Sequence, residues 1–167
     1  MVLNVGNRVV YPSQGPCRIG AVVKKMVGGR PTSFYQLAVL DDGGGELFIP
    51  LDKVGALGIR KLLARSEIPK LLGHLKKAAV KEKNWKQRAI DNAKLLSSGS
   101  AFALAEVVES LTDLSATKAL TPHDRQMLER ARKILICEIS EVTGETKSAA
   151  AEQVDEALKM RQKEKSA

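Results

Sequence analysis

Aromatic side chains make up only 4% of the 167 residues, and Trp85 is the only tryptophan. Any core is therefore aliphatic, and each ring stands out. Cysteine is as scarce: Cys17 and Cys137 lie far apart, with no CxxC neighbour. That pattern predicts two reduced thiols and no structural disulfide. Zinc takes about four ligands, usually in paired spacings. Two lone cysteines and two scattered histidines, His74 and His123, do not supply them, so no metal is expected. Long apolar runs are missing too. None approaches the roughly 20 residues of a membrane span. The start, MVLNVGNRVVYP, breaks its hydrophobicity at Asn4, Gly6, Asn7 and Arg8. It has no signal-peptide core, so a cytoplasmic protein is expected.

What is present is a sizeable apolar fraction, 44%, and a formal charge of +8. The first excludes wholesale disorder. The second suits a polyanionic partner. The surplus is uneven. Residues 1–65 carry nine basic and four acidic side chains, and residues 70–96 carry eight and two. From residue 97 onward the balance turns slightly acidic, ten against twelve. The positive field is therefore densest in the middle of the chain.

Two periodicities divide the sequence. Arg8 to Pro12, Arg18 to Val27, Ser33 to Leu40 and Glu46 to Pro50 read as strands. The pair Gly28-Gly29 is a hairpin signal, because both positions can take positive φ. Four or five short strands with tight turns suit a small, strongly bent barrel. From Ser66 the period becomes helical. Helices are expected to start at Ser66, Asn84, Ser100, Thr121-Pro122 and Thr146, with stops at Gly99 and Gly144. The polar tail, Lys159 to Ala167, is expected to fray. The fold class is thus α+β in two domains. A small β-barrel over 1–65 precedes an all-α bundle of about five helices over 66–167.

The search for catalysis finds little. There is no GxSxG, HExxH, P-loop or GxGxxG leading into a helix. Gly43-Gly44-Gly45 fall between strands, so no helix N-terminus stands ready for phosphate. Glu138 and Glu141 share a helix face and read as solvated charge. Binding, with no cofactor and no small-molecule substrate, is the expectation.

The informative stretch runs from Lys76 to Lys94. Lys76, Lys77, Lys81 and Lys83 lead into Asn84-Trp85, followed by Lys86 and Arg88. Basic side chains neutralise phosphates and release counterions. A ring among them can wedge into a minor groove or stack on an unpaired base. Trp85 also aligns with Ala89, Ala93 and Leu96 on a helical wheel, as a core tryptophan does. The residues alone leave both readings open.

Taken together, VVYPSQG at 9–15, FYQL at 34–37, IPLDKVGALGIR at 49–60, NW at 84–85, LSSG at 96–99, AEVVESL at 105–111 and LTPHDRQMLERARKILICEIS at 120–140 resemble the CarD/CdnL family of bacterial transcription regulators. The strings span nearly the whole chain, in order. The resemblance implies a Tudor-like N-terminal barrel that binds the β1 lobe of the RNA polymerase β subunit by strand-to-strand contact. By position, Lys24, Lys25, Met26, Phe48 and Pro50 would form that surface. It also implies a helical domain that reaches promoter DNA near the −10 element, at the upstream edge of the bubble. Trp85 would be the minor-groove wedge there, with Lys81, Lys83, Asn84, Lys86 and Arg88 as phosphate or groove contacts. Gln87, Ala89 and Ile90 depart from the family's more basic helix turn. That departure leaves open a polymerase-binding paralogue with weak DNA contact; a freestanding nucleoid-type DNA binder is a separate alternative.

A wedge and a core ring differ in what their loss does. Trp85→Ala is expected to shorten promoter open-complex lifetime while the denaturation midpoint stays near wild type. A buried tryptophan truncated to alanine costs roughly 3–5 kcal/mol. A stability loss of that size would place the ring in the core.

Overall fold

The computed structural model describes residues 3–41, 43–77 and 85–166, without the side chains at 85, 86, 88, 89, 165 and 166. Five antiparallel strands come first: β1 (Arg8–Tyr11), β2 (Gly15–Val27), β3 (Arg30–Val39), β4 (Glu46–Pro50) and β5 (Arg60–Lys61). They hydrogen-bond in the order β4-β3-β2-β1-β5. Five helices follow: α1 (Ile68–Lys76), α2 (Trp85–Ser98), α3 (Ala101–Ser115), α4 (Pro122–Thr143) and α5 (Lys147–Ser166).

Local chemistry explains most boundaries. Gly28 and Gly29 take φ of 58° and 79° in the β2–β3 turn, the positive pair that a two-residue hairpin requires. The β2–β3 register slips between Ile19 and Ala21, so Gly20 is a bulge that bends the long strand. Ser100, Thr121 and Thr146 cap α3, α4 and α5 through their side-chain oxygens. Gly144 ends α4 in the left-handed region.

Two expectations are corrected. Ser66 does not cap α1. A 3-10 turn over Arg65–Glu67 leads in, Glu67 accepts from the Ala64 amide at 2.9 Å, and α1 opens with a proline in its first turn. The polar tail does not fray at its start, because α5 runs to Ser166 and buries Arg161. The expected Asn84 cap lies outside the described residues.

There are two apolar cores. Val9, Cys17, Ile19, Leu37 and Ile49 fill one face of the sheet. Leu71, Leu75, Leu104, Val108, Leu111, Leu135, Ile139 and Val154 centre the bundle. By strand register, Arg8, Val10 and Arg60 lie on the opposite face of the sheet from Val9. Val10 is nonetheless 1% exposed, and α4 packs on the neighbouring β2, with Ile134 beside Gly15.

Charge joins sheet and bundle. Arg60 grips the Glu138 carboxylate with both terminal nitrogens, at 2.8 and 2.7 Å. The same carboxylate accepts from the Leu63 amide at 2.9 Å. The Arg60 Nε donates to the Gly99 carbonyl at 2.6 Å, at the connection between α2 and α3. Arg8 donates to the backbone and the carboxylate of Glu141, and Lys147 reaches the Leu40 carbonyl at 3.0 Å. Glu138 and Glu141 are therefore not a solvated pair: they join sheet to bundle, and Glu138 is fully buried. Gly99 adds a close approach. It sits at φ 76°, and a Cβ there would fall 2.8 Å from Pro12 Cγ.

Removing one partner of such a buried pair leaves an uncompensated charge, at a cost of about 3–5 kcal/mol. Glu138→Ala should lower unfolding stability by that amount, measured by urea denaturation. A change under about 0.5 kcal/mol would mean that the Arg60–Glu138 contact is not closed in solution.

Candidate functional site

Strand alternation sorts the five candidate residues of the sheet. Register places Lys25, Phe48 and Pro50 on the same face as Val23, Phe34 and Gln36. Phe34 stands between Val23 on one side and Pro50 on the other, and Phe48 is opposite Gln36. This is the outer face, and it is open here. Phe48 is 41% exposed, and the Lys25 ammonium lies 3.5 Å from its ring centroid. A cation over a ring both holds the ring out and keeps the charge beside it. Strand β4 is an end of the sheet, so a partner strand can add beside it. Lys24 and Met26 alternate to the other side, where Met26 is 69% exposed and Val22 is exposed beside it. The five residues thus occupy both faces of the β2–β3–β4 part of the sheet, not one patch. Val23 and Phe34 belong to the outer patch and were not singled out from sequence. FYQL marked Phe34 only as family-like, and register is invisible without the fold.

The second candidate surface is at the start of α2. Lys81, Lys83 and Asn84 lie outside the described residues, as do the side chains of Trp85, Lys86 and Arg88. The backbone still locates position 85. Gly99 and Ser100 connect α2 to α3 as an antiparallel hairpin. The buried Asn92 exchanges hydrogen bonds with Ser110 at 3.1 and 3.2 Å, which fixes the rotation and register of α2 on α3. Position 85 is two turns before Asn92, and so on the same helix face. Counting forward from Ser110 by the same number of residues passes Ser115, where α3 ends. Position 85 therefore stands where the neighbouring helix has run out. The next exposed positions, Gln87 and Ile90, face away from α3, and Gln87 is engaged with Asp91 at 2.9 Å.

The geometry of the bundle has two ends. Gly99, Glu138 and Glu141 meet the sheet. Position 85, the end of α3 and the end of α1 lie at the other. Along the 14 residues of α2 that is roughly 20 Å.

Burial shifts three ionisable groups outside these surfaces. Burial pushes the Cys17 thiol up to about 12, well away from a reactive thiolate. Burial also raises the Glu109 carboxyl, against the hydrogen bond from His74. Burial opposes the charge of Arg161, but the Asp113 and Glu109 carboxylates outweigh it, so its pKa is raised. Among the described residues no group of three or more His, Cys, Asp or Glu side chains could hold a metal ion, and no helix is long and apolar enough to cross a membrane.

Comparison with known proteins identifies the family. Residues 3–63 match the CarD-like/TRCF RID domain. YdeB of Bacillus subtilis (strain 168), a provisionally named transcription factor, is 27% identical over 148 residues, covering 87% of this chain and 95% of YdeB. The solution structure of the 72-residue N-terminal domain of Myxococcus xanthus CarD is 42% identical over 35% of this chain and 77% of its own, with a TM-score of 0.30. The CarD C-terminal domain matches residues 70–155, half of the chain by itself, and the chain belongs to the CarD/CdnL family of transcription regulators.

Proposed function

We propose that this regulator grips the β subunit of bacterial RNA polymerase through the sheet and holds promoter DNA open with the far end of the bundle. The observation that carries the reading is the junction of Arg60 with the buried Glu138. It turns two small binding surfaces into one piece with a set spacing. The polymerase contact uses the free β4 edge, with Phe48, Pro50 and Lys25 on the outer face, and Lys24 and Met26 on the reverse of the hairpin. Backbone pairing along an edge strand supplies affinity, and the outward ring and lysine supply selectivity. The β1 lobe is the docking site.

At the far end, Trp85 wedges at the upstream edge of the bubble, near the −10 element. Lys81, Lys83, Asn84, Lys86 and Arg88 meet phosphates and groove edges around it. The support is the place of position 85 beyond the end of α3 and the density of positive charge in residues 70–96. Each contact raises the effective concentration of the other. Stabilising the open complex by about 1.4 kcal/mol shifts its equilibrium tenfold. No bond is made or broken, so the output is a change of lifetime. The expected division is a polymerase-binding unit at 1–65 and a DNA-binding unit at 66–167.

One observation favours a weaker DNA contact. The exposed side of α2 presents Gln87 and Ile90, with Ile90 52% open and no cation at either position. On that reading the lysines before Trp85 carry the charge.

Phe48 separates polymerase binding from folding, because it is exposed. Phe48→Ala should weaken affinity for the polymerase β subunit about tenfold, roughly 1.4 kcal/mol. The unfolding midpoint should hold. Wild-type affinity in a direct titration would move the interface off the outer face.

A further inference from the structure

Arg161 stands in a stretch rich in charged and polar residues, yet it is 1% exposed. Its Nε and Nη2 donate to the two carboxylate oxygens of Asp113, at 2.9 and 2.6 Å. Its Nη1 donates to the Lys77 carbonyl and lies 3.8 Å from Glu109. The other oxygen of Glu109 meets His74 Nδ1 at 2.5 Å. One guanidinium therefore ties α5 to the last turn of α3 and to the residue that ends α1, and His74 ties α1 to α3 beside it. These are the two helix ends at the far end of the bundle, where α2 begins.

Stability alone does not explain a buried charge in this place. Replacing a buried ion pair by apolar residues of similar volume is often neutral or stabilising. A planar five-donor fork does something an apolar pair does not. It fixes the carboxylate of one helix and the terminal carbonyl of another in a single geometry. We infer that Arg161 is a positioning residue: it holds the ends of α1 and α3 in the arrangement from which the start of α2 meets DNA. The inference rests on the DNA contact proposed above. DNA contact through the start of α2 makes the site of Arg161 part of the regulator's working end, although its side chain touches no nucleic acid.

The test compares the intact chain with Arg161→Met/Asp113→Leu, which removes both charges and puts apolar side chains in their place. Three quantities are read: denaturation midpoint, affinity for RNA polymerase, and open-complex lifetime on promoter DNA. A fourth, amide hydrogen exchange over residues 85–92, needs no DNA. The double variant should keep its midpoint and polymerase affinity, exchange about tenfold faster over 85–92, and shorten the lifetime about fivefold. Wild-type exchange in a folded double variant would overturn the positioning role. Faster exchange with a wild-type lifetime would overturn its link to DNA. Lys86→Gln/Arg88→Gln, run in parallel, tests the premise. An unchanged lifetime there would overturn DNA contact through the start of α2, while the exchange result would still judge Arg161. If the double variant does not fold, Arg161→Lys keeps the charge, loses the fork and is judged by the same exchange and lifetime outcomes.

Discussion

Arg60 and Glu138 are 78 residues apart in the chain, and most of the architecture turns on their meeting. The guanidinium satisfies a fully buried carboxylate on α4 and, through its third nitrogen, the Gly99 carbonyl at the connection between α2 and α3. A buried carboxylate without that partner would be costly. Its attraction to Arg60 therefore favours one arrangement of sheet on bundle over any other. Arg8, Lys147 and the Gly99–Pro12 contact reinforce the same arrangement. Another arginine, the buried Arg161, does the corresponding job at the opposite end. The bundle is thus pinned at both ends by forks onto carboxylates, with an aliphatic core between.

Much of the fold was legible in the sequence because it is local. Gly28-Gly29, Ser100, Thr121-Pro122 and Gly144 each act on their own turn or helix end, and each sits where its chemistry requires. What was not legible is long-range. Glu138 and Glu141 look like ordinary helix charges until Arg60 and Arg8 arrive from the sheet. Arg161 lies in a stretch whose composition resembles a loose tail, and only Asp113 and the end of α1 make it interior. Ser66 fails as a cap because Arg65–Glu67 forms a 3-10 turn, which draws the entry to α1 a step later.

The candidate surfaces divide along the same line. The residue types were readable, and their faces were not. Lys24 and Lys25 are adjacent in sequence, yet strand alternation sends them to opposite sides of the hairpin, and only Lys25 joins Phe48. The position of Trp85 beyond α3 follows from Asn92, a polar residue that the helical wheel of α2 gave no reason to bury.

The two surfaces need each other only if the junction between them is stiff. On the proposed function, a regulator tethered by a loose joint would still bind polymerase, but the end proposed to meet DNA would sample many positions, and its effective concentration at the bubble would fall. The most direct measurement is open-complex lifetime with Arg60→Met/Glu138→Met, a pair replacement that leaves no charge stranded. The account predicts a folded protein with wild-type polymerase affinity and a lifetime close to that without the regulator. A wild-type lifetime from that variant would show that the sheet and the bundle act without a fixed junction.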